Sequence, residues 1–99
     1  MKAFRITYRN YDLKKSAISR LKEDLKYIFW VKGREPENWD DFNDEIEFNT
    51  EQDRGGDCVE MVFAETVSDS WETSMLKDLL KKKSIRSVER RTNNEYIKF

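Results

Sequence analysis

Apolar and polar side chains alternate from Lys2 to Arg9, with Phe4, Ile6 and Tyr8 on one side and Ala3, Arg5, Thr7 and Arg9 on the other. A period of two predicts a half-buried strand. Asn10–Asp12 interrupts it, and Asp12 is placed to cap a helix. From Leu13 to about Trp30 the spacing changes. Ala17, Ile18, Leu21, Leu25, Ile28 and Phe29 fall on one side of a helix. Lys15, Lys22 and Lys26 edge that stripe, and Gly33 ends it. Arg34–Asp44 is polar and acidic, and Pro36 can open one short helical turn. Glu45–Asn49 alternates again around Ile46 and Phe48. Gly55-Gly56 suits the turn of a long hairpin. Its second arm, Asp57–Val67, sets Val59, Met61 and Phe63 against Cys58, Val62 and Ala64. Apolar residues on both sides mark a central strand.

Asp69-Ser-Trp-Glu72 has capping-box spacing. It opens a second helix to about Lys83, with Trp71, Met75, Leu76, Leu79 and Leu80 facing inward. Lys81-Lys82-Lys83 suits the negative end of that helix's dipole. Ile85–Thr92 and Glu95–Phe99 read as strands joined by Asn93-Asn94. A two-residue turn there pairs Glu89 with Lys98 and Val88 with Phe99. The expected fold class is α+β. It has the β-α-β-β-α-β order of a ferredoxin-like antiparallel sheet, two helices on one face, and a short extra C-terminal strand. The expected sheet order is 4-1-3-2. Residues 1–99 are read as one domain.

Composition removes chemistry rather than adding it. The chain has 99 residues, no His and one Cys. No imidazole base or ligand exists, and no intramolecular disulfide or Cys-rich zinc site can form. No run of about 18 apolar residues is present, so no membrane span is expected. Met1–Asn10 does not resemble a signal peptide, and the cytoplasm is the expected compartment. No cofactor, metal site or catalytic residue is assigned.

Charge changes the picture most. Residues 1–35 carry net +6, residues 36–75 net −12 and residues 76–99 net +5, cancelling to −1. Clustered basic residues on a sheet and helix could hold nucleic acid: Arg5, Arg9, Lys15, Lys22, Lys26, Arg90 and Arg91. The fourth strand supplies Arg86, Arg90 or Arg91 to the open sheet face, according to register. The acidic centre, with Glu37, Trp39, Asp40, Asp41, Phe42, Asp44, Glu47, Glu51 and Asp53, suits a protein partner. Carboxylates imitate phosphate spacing and aromatics supply anchoring area. Asp40, Asp41, Asp44 and Glu45 do not follow the spacing of an EF-hand.

Arg54-Gly55-Gly56-Asp57-Cys58-Val59-Glu60-Met61 resembles the strand-three signature of the RNA recognition motif family, keeping its Arg-Gly and Val without its three aromatics. The Gly-Gly-Asp also resembles the hairpin of diguanylate cyclases, without the following Glu-Phe. Tyr11-Asp12 at a strand end is similar to the small ferredoxin-like subunit of the CRISPR adaptation complex, and to an RNase antitoxin of the same fold. Those families act as homodimers on nucleic acid. A metal-dependent nuclease built on Asp12 is a separate functional class. The favoured expectation is a non-catalytic inhibitor with phage-type, anti-CRISPR-like character. Its acidic surface would occlude a basic, nucleic-acid-handling protein. Nucleic-acid binding through the basic residues is the alternative, and a homodimer or head-to-tail oligomer is a further expectation.

Overall fold

A computed structural model describes residues 2–9, 16–31, 46–51, 58–63 and 69–99. The elements are β1 (Lys2–Tyr8), α1 (Ala17–Val31), β2 (Ile46–Glu51), β3 (Cys58–Phe63), α2 (Asp69–Leu80), β4 (Ile85–Thr92) and β5 (Glu95–Lys98). The protein is α+β, with two helices and a five-stranded antiparallel sheet in the order β2-β3-β1-β4-β5.

The alternation in β1 decides which way the sheet faces. Phe4, Ile6 and Tyr8 lie with Val59, Met61 and Phe63 of β3 in one buried cluster. Leu21, Leu25 and Ile28 of α1 and Met75, Leu76 and Leu79 of α2 complete it. Phe63 joins the layers edge-on, 5.8 Å from the Phe4 ring and 5.7 Å from Trp71. Each such aromatic pair adds roughly 0.5–1.5 kcal/mol beyond the area it buries.

Strand β4 needs an irregularity to join this core. Ile85 and Val88 are three residues apart, so strict alternation cannot point both inward. The register shifts between Thr7 and Tyr8: Thr7 pairs with Ser87, but Tyr8 pairs with Ile85. Arg86 is the extra residue of this bulge, and Ile85 and Val88 are both buried. At the other end, Asn93 and Asn94 take φ of 51° and 65°. Left-handed backbone at both central positions is what a tight hairpin turn demands, and asparagine tolerates it. Glu89 pairs with Lys98, and the Phe99 N–H donates to the Val88 carbonyl at 2.9 Å.

Three readings at the helix ends change. The Ser16 hydroxyl accepts from the Ser19 N–H at 3.2 Å and caps α1 at Ala17; Asp12 lies outside the described residues. Helix α2 stops at Leu80, not Lys83, and Leu80 is exposed. Glu72 lies inside that helix face, 1% exposed. One oxygen of Glu72 accepts from Lys2 at 2.5 Å and the other from Arg90 at 3.0 Å. Lys2 also donates to Asp69 at 2.7 Å. That bond holds the Asp69 carboxyl below its ordinary range. The bonds to Asp69 and then Glu72 hold the Lys2 ammonium above its own.

Candidate functional site: a basic end and a closed sheet face

The sheet face opposite the helices was expected to be a basic patch. Its register makes it a neutralised one. Arg5 pairs with Glu89, not with an arginine, and donates to its carboxylate at 3.1 Å. The Tyr96 ring of β5 lies under the Arg5 guanidinium, 3.7 Å away, and the Tyr96 hydroxyl donates to Glu60 of β3. Asn49 of β2 donates to the same carboxylate at 3.3 Å. A polar bar thus crosses all five strands. Arg5 and Glu89 keep only 13% and 7% of their side-chain surface. Beside the bar, the Thr7 hydroxyl donates to the sulfur of Cys58, and both residues are buried.

Arg90 corrects the expectation again. It pairs with Phe4, so it lies on the helix side, where Glu72 engages it. Arg91 is exposed and pairs across β5 with Tyr96. Lys22 and Lys26 are exposed on α1, and the Lys22 ammonium lies 5.1 Å from the Phe48 ring of β2. Lys15 lies outside the described residues. The structure does not bring the six described members of the expected basic set onto one surface. Of the acidic set, Glu47 is exposed on β2 and Glu51 ends that strand. Glu37, Trp39, Asp40, Asp41, Phe42, Asp44 and Asp53 lie outside the described residues.

A different basic surface forms where β1 ends. The Arg9 N–H donates to the Ser84 carbonyl at 2.8 Å, which ties exposed Arg9 to the turn carrying Lys81, Lys82 and Lys83. That turn is closed by Lys82 N–H to Leu79 carbonyl and Ile85 N–H to Lys82 carbonyl bonds, each 3.1 Å. Beneath it sits Tyr8, 1% exposed. The Tyr8 hydroxyl donates to Asp24 at 2.7 Å, and the Arg20 guanidinium lies 4.1 Å from its ring. Lys82 reaches Asp24 at 3.3 Å and the exposed Tyr27 ring at 4.5 Å. Lys81 is 79% exposed and meets Asp78 at 3.7 Å. Burial, and then the bond to Asp24, push the Tyr8 phenol well above its ordinary value. It stays neutral, so it offsets none of the positive charge.

The sequence carried one signal for this site, the lysine triplet, and it reads equally well as a helix-dipole partner. What it hid is that Arg9, more than seventy positions earlier, joins the same turn. Cations of this density attract phosphate and carboxylate.

Among the described residues, no group of three His, Cys, Asp or Glu is placed to hold a metal ion. No helix among them is long and apolar enough to cross a membrane. Comparisons with known protein families, with curated proteins and with solved structures find no match to this chain.

Proposed function

We propose that this is a non-catalytic binding protein whose basic end holds the phosphate backbone of a nucleic acid. The observation that carries the reading is the Arg9–Ser84 bond, which joins the basic end of β1 to Lys81, Lys82 and Lys83. Exposed Tyr27 beside Lys82 adds an aromatic surface of the kind on which bases stack. Four phosphate contacts give a slope of about −3 to −4 in log affinity against log salt. The test is fluorescence anisotropy with labelled single-stranded RNA and DNA between 50 and 200 mM salt. Binding should weaken by roughly two orders of magnitude over that range. Lys81, Lys82 and Lys83 changed together to Gln should flatten the slope, and Lys22→Gln should leave it unchanged. No binding at 50 mM, or equal slopes for the triple variant and the native chain, overturns the proposal.

A second reading rests on the charge sequence. Residues 36–75 hold thirteen acidic residues and one basic. This segment suits occlusion of a basic, nucleic-acid-handling protein, in the manner of a phage-type inhibitor. Pulldown from lysate with and without nuclease separates the two readings. Partner capture that survives nuclease, and is lost when Asp40, Asp41 and Asp44 become Asn, favours the acidic segment.

For the fold, we read β4-β1-β3-β2 as ferredoxin-like, with β5 added beyond β4. A single thiol, buried against Thr7, suits a reducing compartment such as the cytoplasm.

A further inference from the structure

Strand β5 ends the sheet and pairs only with β4 among the described strands. In a two-residue hairpin the closing pair exchanges hydrogen bonds, and bonded pairs then alternate. Thr92–Glu95 and Arg90–Ile97 are therefore bonded pairs. The Phe99 N–H to Val88 carbonyl bond continues the alternation. Arg91–Tyr96 and Glu89–Lys98 are the non-bonded pairs, so the ladder turns the backbone groups of Tyr96 and Lys98 outward.

The side chains along this edge have an uncommon character. Ile97 is 54% exposed and Phe99 39%. They are two of the four exposed large hydrophobics among the described residues. The opposite edge, β2, presents exposed Glu47, and self-pairing there would set carboxylates close together. β5 is short and carries Glu95 and Lys98 beside these apolar groups, but it is neither bulged nor interrupted by proline, so its edge can template another strand.

The geometry points to a second copy of this chain as the occupant, paired β5 to β5 about a two-fold axis into a ten-stranded sheet. A two-fold axis normal to the sheet keeps each residue on its own side, so only registers with facing residues on the same side are allowed. Two of the nearest three are poor. One sets Lys98 against Lys98. Another, centred on Tyr96, leaves the Lys98 backbone outside the ladder. The third places Ile97 on the axis. Tyr96 of one copy then faces Lys98 of the other as a bonded pair, twice over. The two Ile97 side chains meet as a non-bonded pair, the closer kind, with Cα atoms about 4.5 Å apart.

Charge agrees with this register. Within each copy Lys98 pairs with Glu89, and Tyr96 pairs with Arg91. Across the seam each row becomes Arg91, Tyr96, Lys98, Glu89, so a ring separates the two cations and a carboxylate closes the row. The antiparallel sense also brings the Glu95 end of one strand to the Lys98 end of the other. A parallel arrangement would set like on like. This dimer is independent of the nucleic-acid reading, because Arg9 and Lys81–Lys83 lie outside the seam.

The test is sedimentation equilibrium of the full chain over a range of concentrations. The expected mass rises from 12.0 kDa toward twice that value. Ile97→Lys sets two ammonium groups on the axis. Lys98→Pro removes an outward N–H and leaves the β4–β5 ladder whole. Each should weaken the dimer at least roughly tenfold, because the symmetry repeats every change. Circular dichroism and thermal melts of both variants should match the native monomer. Ile97→Cys should oxidise to a covalent dimer across the axis, within disulfide reach. A mass fixed at 12.0 kDa at all concentrations overturns the proposal. So does a dimer that both substitutions leave intact, or one that dissolves with salt and ignores Ile97→Lys.

Discussion

Replacing Glu72 by Gln keeps the shape of the side chain and removes its charge. The carboxylate is 1% exposed and receives Lys2 and Arg90, which retain 24% and 48% of their surface. Breaking a fully buried ion pair costs about 3–5 kcal/mol, whereas surface pairs contribute about 0–1 kcal/mol. Here the acceptor is buried but both donors reach water, and Lys2 keeps Asp69. The loss should therefore fall between those limits, at about 2 kcal/mol. A domain of this size has a urea slope of about 1–1.5 kcal/mol per molar, so the midpoint should drop by roughly 1.3–2 M. Urea unfolding followed by tryptophan fluorescence measures it. The physical account also predicts a rescue. Lys2, Glu72 and Arg90 replaced together by Met remove the desolvation cost along with the attraction, and should regain most of the lost stability. A Glu72→Gln midpoint within about 0.3 M of native refutes the reasoning. So does a Glu72–Arg90 double-mutant cycle with coupling below about 0.5 kcal/mol.

Tyr8 supplies a pH prediction. Its folded-state pKa is raised above the unfolded value of 10.0. The neutral phenol thus contributes stability that is complete below pH 10 and is lost as pH rises above it. The slope approaches about 1.4 kcal/mol per pH unit, and Tyr8→Phe should remove that loss in alkaline melts. Tyr96→Phe cuts the polar bar at its contact with Glu60. It should cost about 1 kcal/mol, with the loss concentrated in hydrogen-exchange protection of β5. Asn94→Val puts a branched side chain at φ of 65°. It should destabilise the hairpin by about 1–2 kcal/mol, read from thermal denaturation, whereas Asn94→Gly should be neutral or stabilising.

The parts legible in the sequence are those specified by neighbours along the chain. The alternation of β1, the stripe of α1 and the Asn93-Asn94 turn each declare themselves within ten or twenty residues. The turn alone sets Glu89 against Lys98. What sequence pattern missed depends on distant partners. Glu72 looked like the end of a capping box, because its engagement by Lys2 spans 70 positions. Arg90 and Arg91 were interchangeable until a bulge at Arg86 fixed which one faces the helices, since a shift of one residue exchanges the two faces of a strand. Sequence pattern put the cap of the first helix at Asp12, where the strand pattern breaks; the described helix starts after Ser16, whose hydroxyl accepts from the Ser19 N–H. The basic end was illegible for the same reason as the buried carboxylate: one backbone bond between Arg9 and Ser84 assembles it.

The position of β1 also sets an order of events during synthesis. Its two neighbours are β3 and β4, and Arg5 faces Glu60 on one side and Glu89 on the other. The ribosome therefore releases the central strand long before either partner exists. β2 and β3 can close their hairpin alone, but β1 can join that pair on one edge only until β4 emerges. In that interval Phe4, Ile6 and the unpaired edge of β1 are available to other nascent chains or to a chaperone. Arg5 and Arg9 then serve as charged guards on an otherwise sticky strand, before Glu89 arrives to neutralise the first of them.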